Sequence, residues 1–267
     1  MVFGRVNIYS GKDLDGIRLA AYASAQVLDR VANAVVPGMT TAEIDMLAAE
    51  FIKDTGGKSC FLGYHGYPAH ICISINNEVV HGIGSPTRIV QPGDLVSLDV
   101  GVTLGGYCGD NARTVCAGPF CSELGQRLME TTKAALDAGI EQAVEGNTIN
   151  DIGKAVETVA HNAGFEVVRD MVGHGCGKQM HEPPEVPNYF IRGRSPVLKA
   201  GMVIAIEPMV NAGTWRISID RKDGWTVRTL DGSLSAHFEH QVHITKDKPE
   251  ILTCLNNPKT TSLLKEQ

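Results

Sequence analysis

The sequence predicts an α+β domain built from two halves related by a pseudo-twofold axis. Each half is a helix pair followed by strands, with the helices outside a largely antiparallel sheet. Three observations predict it. The chain repeats itself at an offset of 108 residues: Gly38, Thr40, Ile44 and Gly56 fall on Gly146, Thr148, Ile152 and Gly164, and upstream Leu28-Asp29 falls on Leu136-Asp137. The same offset lays "PGDLVSLDV" (92–100) over "AGMVIAIEP" (200–208), so that Asp99 meets Glu207, each the acid inside a largely apolar run. Within the first half, "VTLGGYCGD" has the form of a hairpin turning at Gly105-Gly106.

The elements follow in order. Residues 12–36 read as a helix, with Ile17, Ala20, Ala21, Val27 and Val31 near one face. Thr40 with Glu43, and Thr148 with Asp151, each give the Thr-x-x-acid pattern that opens a helix, here 41–54 and 148–163. Gly56 and Gly164 stand where a C-terminal stop belongs. Residues 122–145 supply the first helix of the second pair. Strands are expected at 71–76, 95–104 and 107–116, and near 166–172, 202–211, 215–220, 225–230 and 236–245. One domain spans 1–254, its halves roughly 12–116 and 120–245, and 255–267 reads as a frayed polar tail.

Composition narrows the function. With 267 residues, 43% hydrophobic and 20% charged, the chain has material for a large core. A net charge of −6 gives no sign of nucleic-acid binding. Seven cysteines without a CxxC pair argue against a zinc ribbon or a secreted disulfide framework, and for reduced thiols in a cytoplasmic protein. No signal peptide and no membrane span are expected.

The chemistry starts from the two odd acids. In "MVIAIEPMV" (202–210) an ionised Glu207 would cost roughly several kcal/mol unless paired. No lysine or arginine is near either acid in sequence, so divalent metal is the economical partner, since carboxylate oxygens suit such ions. Asp110, just beyond the hairpin, is placed to face Asp99, or else caps the turn. His174 lies among glycines in "VGHGCGKQMHEPP", which lacks both the Walker pattern and the HExxH pattern. Glu239 shares one strand face with His237, Gln241, His243 and Thr245; that face reads equally as a solvated one. A zinc cluster of these histidines is a third reading, disfavoured by their spread along the strand. His81 and His181 are either packing histidines or proton shuttles and oxyanion donors.

Taken together, "LGYHGYPAHICISINNEVVHGIG", "LDVGV" with "GDNARTV", "GHGCGKQMHEPPEV", "GMVIAIEPMV", "KDGWTV" and "SAHFEHQVHIT" are highly specific. In content and order they resemble the methionine aminopeptidases, in particular the short bacterial type I form, over nearly the whole chain. The resemblance implies the pita-bread fold of peptidase family M24. It implies that Asp99, Asp110, His174, Glu207 and Glu239 ligate two divalent ions (Co, Mn, Fe, Zn or Ni), with Asp110 and Glu239 bridging. His174 and Glu207 would complete one ion's shell and Asp99 the other's. A metal-activated hydroxide would attack the carbonyl of the first residue of a peptide. Glu207 would handle the water's proton, His181 would donate to the carbonyl oxygen, and His81 would contact the scissile amide nitrogen. Phe61, Tyr64, Tyr67, Cys72, Met180 and Trp225 would line the methionine pocket. At Phe61 many bacterial relatives carry a smaller residue, often cysteine, and at Met180 an aromatic one, so the pocket's bulk is redistributed here. The implied substrates are nascent chains beginning with Met and a small second residue, met at the ribosome by a monomeric cytoplasmic enzyme. A prolidase or proline aminopeptidase of the same fold, and a non-catalytic relative, are the alternatives.

Overall fold

A computed structural model describes residues 6–265. Its helices are α1 (Gly11–Ala34), α2 (Thr41–Asp54), α3 (Glu123–Glu141), α4 (Ile149–Asn162) and α5 (Pro258–Lys265). The two capping patterns form as read. Glu43 Oε2 accepts from the Thr40 amide at 2.7 Å, and Asp151 Oδ2 accepts from the Thr148 amide at 2.7 Å. Gly56 and Gly164 stop their helices at φ +75° and +80°, a region that glycine enters without strain. Among the described residues no helix is long and apolar enough to cross a membrane.

Each helix pair covers a sheet. In the first half the long hairpin strands Leu95–Leu104 and Tyr107–Cys116 pair antiparallel through a turn in which Gly105 and Gly106 both have positive φ. Lys58–Ser59 and Cys72–Ile75 pair with the other edge of Leu95–Leu104. Val27, Val31, Ile44, Ile73, Leu98 and Val100 fill the space beneath α1 and α2. In the second half the order is Glu250–Ile251, His240–His243, Val203–Ile206, Gly173–Gly175, Glu182–Val186. Leu136, Ile140, Ile152, Ile204, Ile206 and Val242 form the matching core. Two three-stranded sheets complete the fold. One is Ser235–His237, Met209–Asn211, Glu166–Val167; the other is Ile217–Ile219, Val227–Thr229, Glu78–Val80.

Helix α1 presses so closely on the hairpin that Gly109 has no room for a side chain. A Cβ there would sit 2.2 Å from the Ala20 carbonyl oxygen and 2.5 Å from the Ala21 Cα. Gly109→Ala is therefore expected to destabilise the fold by about 1–3 kcal/mol. The check is the midpoint of thermal unfolding; an unchanged midpoint would contradict this packing.

Three expectations are corrected. The runs 202–211 and 236–245 are not continuous strands but break as Val203–Ile206 with Met209–Asn211, and as Ser235–His237 with His240–His243. Pro208 has no N–H to give the ladder, so pairing stops at Glu207-Pro208, and the opposite strand stops at Phe238-Glu239. At the breaks Phe238 N donates to Pro208 O at 3.3 Å, while Glu239 N turns away to Ala112 O of the first half at 2.9 Å. The third correction is at the C-terminus, where Pro258–Lys265 forms α5 instead of a frayed tail. Asn257 Oδ1 accepts from the Lys259 amide at 3.0 Å, and Thr260 is buried. Residues 266–267 of that tail lie outside the described residues.

Candidate metal centre and substrate cavity

The five candidate ligands arrive from both halves. Asp99 and Asp110 come from the two hairpin strands. The register pairs Asp99 with Ala112 and Asp110 with Gly101, so the acids share a face as diagonal neighbours rather than standing directly opposite. Glu207 and Glu239 occupy the two strand breaks. His174 is the middle residue of Gly173–Gly175, where glycines let neighbouring backbone approach: a Cβ on Gly173 would lie 2.4 Å from Ala205 O.

One atom each from Asp110, His174 and Glu239 lies within 4.8 Å of the other two. His174 Nε2 is 3.9 Å from Asp110 Oδ2 and 3.4 Å from Glu207 Oε1. Asp110 and Glu239 are buried, and Asp99 Oδ1, Asp110 Oδ1 and Glu239 Oε1 are enclosed without a hydrogen-bond partner. Among the described residues the ion-pair partners of these four acids are histidines only. Burial pushes Glu207 up to about 8 and Asp99 up to about 7, the latter opposed by His237 and reinforced by Glu207. Asp110 and Glu239 are raised too, by burial and then by the neighbouring acids. Burial lowers His174 to about 3, so it presents a neutral nitrogen. Orphaned carboxylate oxygens beside a neutral imidazole are the donor set that hard to borderline divalent ions accept, and such an ion would bring these acids back to their charged forms.

The acids floor a cavity of about 520 Å³, and every residue expected in the methionine pocket lines it: Phe61, Tyr64, Tyr67, Cys72, Met180 and Trp225. Tyr67 donates to Gly82 O at 2.8 Å and packs edge-on against Trp225 at 5.1 Å. Phe61 is buried against Gly101, where a Cβ would come within 2.7 Å of its ring. His81 is held at φ +60°, a strained conformation for a non-glycine residue, and burial lowers it to about 4. His181 lies at the rim with Nδ1 2.7 Å from Tyr64 Oη, its ring 4.3 Å from that of His174.

Sequence reasoning missed three supports. Glu182 accepts from Tyr9 Oη at 2.7 Å and from the Lys178 and Gln179 amides at 2.9 Å, bracing the loop that carries Met180 and His181. Gln241 Nε2 donates to Cys108 O and Cys176 O at 3.1 Å, tying the halves together behind the cavity. His237 lies buried beside Glu207. Gln241 and His237 share the polar strand face with Glu239, but that face turns inward; polar alternation signals a face and not which side is wet. His243 is engaged elsewhere, 2.9 Å from Glu250, so no histidine cluster forms along this strand.

Comparison with known proteins agrees with this construction. A family model described as metallopeptidase family M24 matches residues 15–246. A methionine aminopeptidase from Clostridium acetobutylicum is 47% identical over 246 residues, covering 92% of this chain and 98% of that protein. One from Aquifex aeolicus is 45% identical over 256 residues, covering 93% and 98%. The crystal structure of a methionine aminopeptidase from Thermotoga maritima superposes with a TM-score of 0.90 at 39% identity, covering 93% of this chain and 99% of that one. Matched over most of its length in both sequence and fold, the chain belongs to metallopeptidase family M24 and has its pita-bread fold.

Proposed function

We propose that this protein is a methionine aminopeptidase that removes the first methionine from peptides and nascent chains with a small second residue. The observation that carries the reading is the opening of an apolar, aromatic-walled cavity directly onto His174 and four carboxyl groups, those of Asp99, Asp110 and Glu239 each with an enclosed oxygen. Asp99, Asp110, His174, Glu207 and Glu239 would hold two divalent cations, with Asp110 and Glu239 shared between them. Bound there, the cations supply Lewis acidity for the scissile carbonyl and a nucleophilic water at neutral pH.

The protein's own groups do the rest. Glu207 takes the proton of the attacking water and passes it to the leaving amine. Tyr64 Oη lies 2.7 Å from His181 Nδ1; with the hydroxyl as donor, the His181 proton sits on Nε2, which donates to the carbonyl oxygen. His81, kept neutral by burial, meets the scissile amide nitrogen. The methionine side chain enters between Tyr67, Trp225, Phe61 and Met180, where a flexible thioether fits a flexible wall. The substrates would reach a monomeric enzyme in the cytoplasm at the ribosome.

Met180→Ala is expected to lower kcat/KM for Met-peptides by about 10–200-fold, the range for lost apolar contact in a specificity pocket, chiefly through KM. An unchanged specificity constant would make Met180 a packing residue only. The reading as a whole is tested by hydrolysis of Met-Ala-Ser with Mn²⁺ or Co²⁺, in air and anaerobically, against Ala-Pro and other Xaa-Pro peptides. Cation-dependent release of Met, abolished by chelation, is the expected result. Preferred cleavage of Xaa-Pro peptides, or no cleavage with any cation, would overturn it.

A further inference from the structure

His237 has a position that its place on a strand does not explain. It ends the Ser235–His237 strand, opposite Met209, and its side chain is 1% exposed. Thr114 fixes its backbone from both sides: the Thr114 hydroxyl accepts from His237 N at 2.9 Å and donates to His237 O at 2.9 Å. The ring then points inward, where Nε2 is enclosed with no hydrogen-bond partner, 3.6 Å from Glu207 Oε2. A buried, unpartnered ring nitrogen is unfavourable unless a partner comes within reach. The only ion-pair contact recorded for it among the described residues is that carboxylate oxygen. Glu207 is meanwhile held by its backbone, through Asn188 Nδ2 donating to Glu207 O at 3.0 Å, and its other oxygen faces His174.

We propose that His237 is a positioning residue for Glu207. Its Nε2–H donates to Oε2 and so holds Oε1 toward His174 and the cation site. The inference rests on the reading of Glu207 as a ligand and proton acceptor. Partners of this kind fix the orientation of metal-binding carboxylates, and their loss typically costs 10–100-fold in affinity or activity.

The test is calorimetric titration of Co²⁺ into chelator-treated protein, with kcat and KM for Met-Ala-Ser measured alongside. His237→Leu is expected to weaken Co²⁺ binding by about 10–100-fold and to lower kcat while KM changes little. His237→Gln, which keeps an amide donor of similar reach, is expected to restore both to within a few-fold of the parent. The metal-free Leu variant should unfold at or above the parent's temperature, because it removes an unpartnered polar atom. Should the Leu variant not fold, His237→Asn, whose amide ends short of Oε2, replaces it with the same expected weakening. Unchanged Co²⁺ affinity in the Leu or Asn variant, or a Gln variant as impaired as Leu, would overturn the role of His237 and leave the metal site standing. Failure of the parent itself to bind Co²⁺ would overturn both.

Discussion

Replacing Glu207 by Gln is expected to lower kcat for Met-Ala-Ser by about 10²–10⁴-fold, the span that a positioned general base contributes. Two features of the site lead there. Burial brings the proton affinity of Glu207 close to neutral pH, to about 8 before any cation is bound. Its two oxygens are also differently engaged, Oε1 at 3.4 Å from His174 and Oε2 at 3.6 Å from His237. Glutamine keeps an oxygen for ligation but cannot take up a proton. The variant should therefore still bind cations, at higher concentration, when elemental analysis is done on the protein after gel filtration. Near-parent turnover by a variant shown to hold its cations would remove Glu207 from the proton-transfer step.

Cation removal should have an equally large effect on stability, with a definite pH dependence. The folded, metal-free protein keeps protons on Asp99 up to about pH 7 and on Glu207 up to about pH 8, whereas ordinary carboxyls have lost theirs near pH 4. Across that interval the native state binds more protons than the unfolded chain, so stability falls as pH rises, until the folded values are passed. His81 and His174 act oppositely: their folded values, about 4 and about 3, lie below the usual 6.5, so they cost stability as pH falls below 6.5. The histidine effect fades above pH 6.5, and the acids dominate from there to about pH 8.5. Over that window the melting temperature of the chelated protein should decline. Because the ligands must ionise to bind, the gain from Mn²⁺ should grow over the same window. At 100 times Kd the linkage is worth about 2.7 kcal/mol, or about 5–10 °C in a protein of this size. A chelated protein whose melting temperature is flat from pH 6.5 to 8.5, with a pH-independent Mn²⁺ gain, would contradict this ledger of buried acids.

Local chemistry made part of this molecule readable before folding was considered. Helix α2 runs Thr41–Asp54, as its capping box and stop glycine require, and the hairpin turns at Gly105-Gly106 because both positions need positive φ. Asp99 and Glu207 also stand out, since a lone acid in an apolar run conflicts with its surroundings wherever the chain takes it, whereas Asp110, His174 and Glu239 are singled out only through the family resemblance. What sequence could not give depends on partners far along the chain. Gly173–Gly175 and Glu182–Val186 have compositions that argue against strands; the first pairs with Val203–Ile206, and the second adds to its other edge. The break at Glu207-Pro208 was hidden in an unbroken apolar pattern, although Pro208 marks it in hindsight. His237 and Gln241 looked like the wet side of a strand, and only the closure of the two halves puts that side indoors. Tyr9 and Glu182 are 173 positions apart, beyond any local rule.

The central claim is that divalent cations neutralise the acids gathered from both halves. Anomalous diffraction from crystals equilibrated with Mn²⁺ tests it most directly. The predicted result is two anomalous peaks inside the cavity, with oxygens of Asp99, Asp110, Glu207 and Glu239 and Nε2 of His174 at about 2.0–2.6 Å from one or both. A cavity without a peak at saturating Mn²⁺, with the carboxyl groups paired to one another or to water, would contradict it.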